Sequence, residues 1–147
     1  MSLETDVRLM ASTRPFDLMP REAVQIIAFS CTKANLKAGE TLFEPGAPAD
    51  AAFFVLSGAL QLTADNAERR VEPGSLIGET ALMADVVRRV GARAAEGCEL
   101  LRVPSAVFRR VLSEFPGVAG KVRKAASART RGLVKQLDAV RERLFEA

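Results

Sequence analysis

A chain of 147 residues, 48% hydrophobic and 27% charged, has the size and composition of one globular domain. No run of about 18 apolar residues offers a membrane span. The chain holds no histidine, which excludes haem ligation by His, imidazole acid–base catalysis and histidine metal clusters.

The N-terminus MSLETDVRLMAS carries acids and no apolar stretch, so it is not read as a secretory signal, and a cytoplasmic location is expected. Val7 to Ala11 is predicted as a short helix. Pro20 suits the first position of a second helix, Pro20 to Phe29, with Ala23, Ile26, Ile27 and Ser30 on the face that packs against a barrel. From Cys31 to Val103 short apolar runs alternate with Gly, Pro and Asp turns every eight to twelve residues or so, the pattern of an all-β barrel or sandwich. Ala51 to Leu56 reads as one fully buried strand, continued with alternation by Leu60 and Leu62, and Asp65-Asn66 reads as a turn. The eight Phe are assigned to the core. The two cysteines, Cys31 and Cys98, are too few for a disulfide framework or for an iron–sulfur cluster of about four thiolates, and each is read as a buried free thiol.

One helical interruption, Glu79 to Ala84, breaks the β pattern. Pro104 and Ser105 then open a helix with Val107, Phe108, Val111 and Leu112 on one face. Phe115-Pro116-Gly117 breaks it, and a last helix is predicted from Val118 to about Phe145. Its apolar residues Leu133, Leu137, Val140 and Leu144 step by four, three and four, a coiled-coil-like seam that predicts a homodimer. Residues 117–147 hold eight Lys or Arg against three acids. That basic excess is read as a solvated face or as a docking surface for an acidic protein, a membrane surface or nucleic acid.

The run GSLIGETALMADVVRRVGARA, residues 74–94, concentrates the chemistry. Gly78 lets the backbone pass close to a ligand and turn into a helix, whose first N–H groups carry partial positive charge. Arg88, on the strand that follows, can pair a phosphate with two parallel hydrogen bonds. The Glu79 carboxylate suits a hydroxyl donor better than a phosphate. The pocket therefore suits a ligand with one phosphate and one ribose hydroxyl.

Gly78, Glu79, Ala81, Leu82 and Arg88 together resemble the phosphate-binding cassette of cyclic nucleotide-binding domains. The turns at Gly39, Gly46 and Gly58, and Pro73-Gly74 ahead of the run, resemble that family too. The resemblance extends from about Phe16 to the C-terminal helix, closest in architecture to the sensor half of catabolite activator-type regulators. It implies a mainly β fold with flanking helices. This is a β-roll or jelly-roll barrel (a double-stranded β-helix) at residues 31–103, with N-terminal helices at 1–30 and a long C-terminal helix within 104–147, all in a single domain of residues 1–147.

The same resemblance implies a ligand, cyclic AMP or cyclic GMP, and no catalysis, cofactor or metal. The cassette spans residues 78–91, with Gly78, Glu79, Thr80, Ala81, Leu82, Arg88, Arg89 and Val90 around the ligand. Arg88 is assigned the phosphate and Glu79 the ribose 2′-hydroxyl, with Arg89 as a solvated charge. A register on Arg89 would need a one-residue shift that the strand at Gly97 to Leu100 disfavours. Arg89, Val90 and Gly91 depart from the small residues usual after the arginine, which predicts a tighter or altered pocket. No hydroxyl follows Arg88, which leans towards cyclic AMP. Thr130, Leu133 and Val134 fall where the family's last helix caps the base, with Arg131 as a further polar candidate. The chain ends at Ala147 with no room for a helix-turn-helix, so DNA binding by that route is not expected. The rival expectation is a degenerate module that binds no nucleotide and acts in dimerisation or docking.

Overall fold

The computed structural model describes residues 3–134, with side chains described through residue 125. Helix α1 (Leu3–Ala11) begins a turn earlier than predicted, with Glu4 and Asp6 in its first turn, where the helix dipole favours acids. A 3-10 turn (Phe16–Leu18) leads to α2 (Arg21–Ser30). Pro20 is not inside α2 but caps it in extended conformation. The buried face of α2 is Ala23, Val24, Ile27 and Ala28, not the predicted Ala23, Ile26, Ile27 and Ser30. Apolar residues run almost around this helix, so its period could not phase the face. Contacts with α1 on one side and with the barrel on the other decide it. Ile26 and Phe29 turn outwards, and Phe29 is 79% exposed, so the assignment of every Phe to the core fails there.

The β region forms two four-stranded antiparallel sheets. Strands β1 (Thr32–Leu36), β10 (Cys98–Pro104), β4 (Ala51–Ser57) and β7 (Leu76–Ile77) make the first, in that order. Strands β2 (Thr41–Phe43), β9 (Gly91–Ala94), β5 (Leu60–Ala64) and β6 (Ala67–Val71) make the second. A two-stranded ladder of β3 (Pro48–Ala49) and β8 (Val86–Val87) closes one end.

Strand β4 explains the unbroken apolar run. Ala51, Phe53 and Val55 face the interior between the sheets, with Leu60, Leu62 and Leu100. Ala52, Phe54 and Leu56 pack on the opposite side against the helices. A strand covered on both faces is apolar at every position, because successive side chains alternate sides. The predicted continuation of this strand through Leu62 is corrected. Gly58 turns at φ +78°, and the chain crosses from the first sheet into β5 of the second.

The helical layer completes the core. Helix α4 (Ser105–Glu114) buries Phe108, Val111 and Leu112, and Phe108 meets Phe16 edge-to-face at 6.1 Å between ring centroids. Helix α5 (Pro116–Val134) starts at Pro116, two residues before the predicted start, since proline fits a first helical position. Its first turns bury Val118, Ala119 and Val122, while Lys121, Arg123 and Lys124 are exposed. Among the described residues no helix is long and apolar enough to cross a membrane. The predicted base-capping residues Thr130, Leu133 and Val134, and Arg131, lie on α5, but their side chains fall outside the described part. Leu137, Val140 and Leu144 of the seam fall outside the described residues altogether.

Both cysteines are free, Cys98 buried and Cys31 half-buried. Burial, reinforced by the nearby Asp6 carboxylate, pushes the Cys31 thiol up to about 12. Burial also raises Cys98. A thiolate is the reactive form, so both thiols are held inert. A thiol raised in the folded state adds stability that is whole below the unfolded pKa of 9.0 and is lost as pH climbs towards about 12. Ellman's reagent at pH 8 is therefore expected to find almost no reactive thiol in the native protein and two per chain in guanidinium. Rapid reaction of the native protein would contradict this burial.

Candidate functional site

The site is built where the first sheet gives way to a short helix. Strand β7 pairs with β4, Phe53 opposite Ile77 and Phe54 opposite Leu76. Gly78 follows at φ +74°, a conformation that favours glycine, and turns the chain into α3 (Thr80–Met83). The Ala81 N–H donates to the Gly78 carbonyl at 3.0 Å, and the Leu82 N–H donates to the Glu79 carbonyl at 3.0 Å. These two amides close the turn, which narrows the set of N–H groups expected to face a phosphate. Ala81 and Leu82 are fully buried and anchor the turn, whereas Thr80 is exposed. Glu79 is half-buried at the helix start, and its side chain does not cap the helix.

The far end of α3 is held from another element. Arg109 of α4 donates from Nη2 to the Ala81 carbonyl at 3.1 Å and from Nε to the Leu82 carbonyl at 3.2 Å. Its Nη1 reaches the Asp85 carboxylate at 2.9 Å. Sequence reasoning missed Arg109, because it lies 27 residues from Leu82 and no local pattern marks it.

Arg88 follows β8. Its N–H donates to the Ala47 carbonyl at 2.8 Å, and its carbonyl accepts from the Gly46 N–H at 2.7 Å, so the turn before β3 grips its backbone on both sides. Its side chain points into the barrel and is only 3% exposed. Nη2 donates to the Ala51 carbonyl at 2.6 Å, and the guanidinium carbon lies 4.2 Å from the Phe43 ring centroid and 5.7 Å from that of Phe53. Burial pulls its pKa below the usual arginine value; Asp50 opposes that shift and Arg102 adds to it. An arginine so shifted is still a cation at neutral pH.

Residues 88–90 form a bend between β8 and β9 in which burial still alternates. Arg89 is exposed, and Val90 is fully buried against Ala64 and Phe43. Arg88 is thus the inward cation of the pair and Arg89 the solvated one. Helix α3 packs against both β4 and β8, which brings the Gly78–Leu82 turn and the strand leading to Arg88 into one region of the roll.

A family model described as the cyclic nucleotide-binding domain matches residues 33–115, more than half of the chain. The chain belongs to this family. It is 32% identical to a cyclic nucleotide-binding-like protein from Brucella abortus. That structure superposes with a TM-score of 0.67 and covers 74% of this chain and 98% of its own. The sensor domain of the transcriptional regulator DNR from Pseudomonas aeruginosa shares the fold, with a TM-score of 0.78 over 92% of this chain and 95% of that one, at 19% identity. Lysophospholipase NTE1 from Phaeosphaeria nodorum is 28% identical over 134 residues, 87% of this chain. The chain spans only 9% of that enzyme's length. As a cyclic nucleotide-binding domain, the chain shows the expected mainly β roll with flanking helices. Among its described residues no cluster of three or more His, Cys, Asp or Glu could hold a metal ion.

Proposed function

We propose that this domain binds a cyclic nucleotide, cyclic AMP or cyclic GMP, as a non-enzymatic cytoplasmic sensor whose occupancy is passed to α4 and α5. The observation that carries this reading is the buried Arg88 guanidinium at the end of β8, the strand against which α3 packs. A cyclic phosphodiester is a monoanion that must leave water, and charge-assisted bonds from a guanidinium in low-dielectric surroundings offset that cost. Glu79 is the acceptor for the ribose 2′-hydroxyl, the only free hydroxyl on a 3′,5′-cyclic sugar. The burial of Arg88 and the exposure of Arg89 support Arg88 as the phosphate ligand. Hydrolysis is not carried over from the lysophospholipases, whose match is confined to 9% of their length.

A specific observation also favours the degenerate-module reading. Arg88 already donates to Ala51 and stacks over Phe43, a structural task that a domain without ligand would also require. A thermal-shift screen with cyclic AMP, cyclic GMP and 5′-AMP separates the two. Ligand at a hundredfold excess over its Kd stabilises a one-site protein by about 2.7 kcal/mol. A melting rise with a cyclic nucleotide and none with 5′-AMP is expected; no rise with any of them turns the reading to the degenerate module.

The seam of Leu133, Leu137, Val140 and Leu144 supports a homodimer as the assembled form, since an uncovered apolar stripe is unfavourable in water. Light scattering is expected to read a dimer for the native chain and a monomer for Leu137→Glu. A monomeric native chain contradicts the dimer. The basic excess of residues 117–147 suits an acidic protein partner as the reader of the signal.

A further inference from the structure

Helix α3 has four residues, too few to be stable through its own hydrogen bonds. One backbone bond, from the Ala84 N–H to the Thr80 carbonyl at 3.1 Å, closes its end. The next two carbonyls, of Ala81 and Leu82, are the orphan acceptors that every helix leaves at its C-terminus. Arg109 answers both from adjacent donors of its planar fork, at 3.1 and 3.2 Å. Its positive charge lies at the end of the helix where a cation is favoured. The third arm, to Asp85, is an ion pair with a carboxylate that is 96% exposed, and such pairs contribute little. The carbonyl bonds are part-buried and carry the interaction.

We propose that Arg109 is the positioning residue of the ligand cassette. It fixes the far end of α3, so that the near end, Gly78 to Thr80, is presented to the ligand in one geometry. It also fastens the cassette to α4, which runs through Phe115 into α5. A shift of α3 on ligand binding would move the Arg109 side chain and with it the helical pair. The effect on ligand rests on the sensor reading above; the effect on α3 does not.

The test compares the native chain with Arg109→Ala, Arg109→Lys and Asp85→Asn. Lysine keeps the charge but cannot present two adjacent N–H groups in a plane. Three quantities are read: amide exchange at Ala84 in the ligand-free protein, amide exchange of the β4 and β10 core strands, and Kd for cyclic AMP and cyclic GMP. Arg109→Ala should speed Ala84 exchange about tenfold or more and leave the core strands unchanged. It should also weaken nucleotide binding about tenfold, the loss of one charged hydrogen bond. Arg109→Lys should recover only part of both, and Asp85→Asn should stay within about twofold of the native chain. Unchanged Ala84 exchange overturns the proposal. So does a loss of protection shared equally by the core strands, which would mark a merely structural arginine. Full rescue by lysine, or an Asp85→Asn effect as large as that of Arg109→Ala, overturns the forked capping. A native chain that binds neither nucleotide overturns the sensor reading alone, and the Ala84 comparison then decides the role of Arg109.

Discussion

Adding one methyl group at Gly58 is expected to destabilise the domain by about 2–5 kcal/mol. Two costs combine. The residue sits at φ +78°, where a Cβ costs about 1–2 kcal/mol. The new Cβ would also meet the Gly97 carbonyl oxygen, with the Cys98 Cβ at 2.6 Å and the Cys98 Cα at 2.7 Å. These are atoms of the β10 entry, where Cys98 pairs with Leu36 of β1, so they cannot move without unzipping a ladder. Forced overpacking of that kind costs about 1–3 kcal/mol. Gly39 is the control. Its φ is +89°, but a Cβ there meets nothing within 4 Å, so Gly39→Ala should cost only the backbone share, about 1–2 kcal/mol. Urea unfolding of both variants, with midpoints shifted at unchanged slope, measures the difference. Equal losses at the two glycines would contradict the crossing geometry between β4 and β5.

Arg88→Ala should cost about 2–5 kcal/mol of cyclic nucleotide affinity, the usual loss when one partner of a buried charged pair is truncated. It should also lower stability, because the stacking on Phe43 and Phe53 and the bond to Ala51 are lost with it. Arg88→Lys separates the two effects, since it keeps the cation and loses the two-pronged fork. Arg89→Ala, on the outer face, should stay within about 0.5 kcal/mol of the native chain in both respects. Titrations must be run well below the melting point of each variant, so that unfolding does not pass for weak binding. A larger loss at Arg89 than at Arg88 would place the cassette one residue out of register.

Much of this domain is legible in its sequence, for identifiable reasons. The cassette turn is legible because Gly78 must adopt a positive φ and the residues after it are helical within a β pattern. The choice of Arg88 over Arg89 is legible from the cassette pattern and not from strand periodicity, because residues 88–90 form a bend between β8 and β9. Four features were not legible, and all depend on tertiary packing. The turn at Gly58 is expected, but the change of sheet there hides in an apolar run, because β4 is buried on both faces and β5 begins with buried Leu60. The inner face of α2 cannot be phased when Ile26, Ile27, Val24 and Phe29 surround the helix. The Arg109 fork joins residues 27 and 28 apart, and nothing in VFRRVL sets Arg109 apart from its neighbour Arg110. The aromatic pair over Arg88 belongs with these, since Phe43 and Phe53 come from opposite sheets.

The central claim is that a cyclic nucleotide binds at Arg88 and the Gly78–Leu82 turn. Calorimetric titration of the native chain and of Arg88→Ala with cyclic AMP and cyclic GMP tests it most directly. The account predicts saturable heat for the native chain with at least one of the two nucleotides, and an affinity lower by about thirtyfold or more for Arg88→Ala, from the about 2–5 kcal/mol loss. No heat from the native chain with either nucleotide at millimolar concentration, or equal affinity in the two proteins, would contradict it.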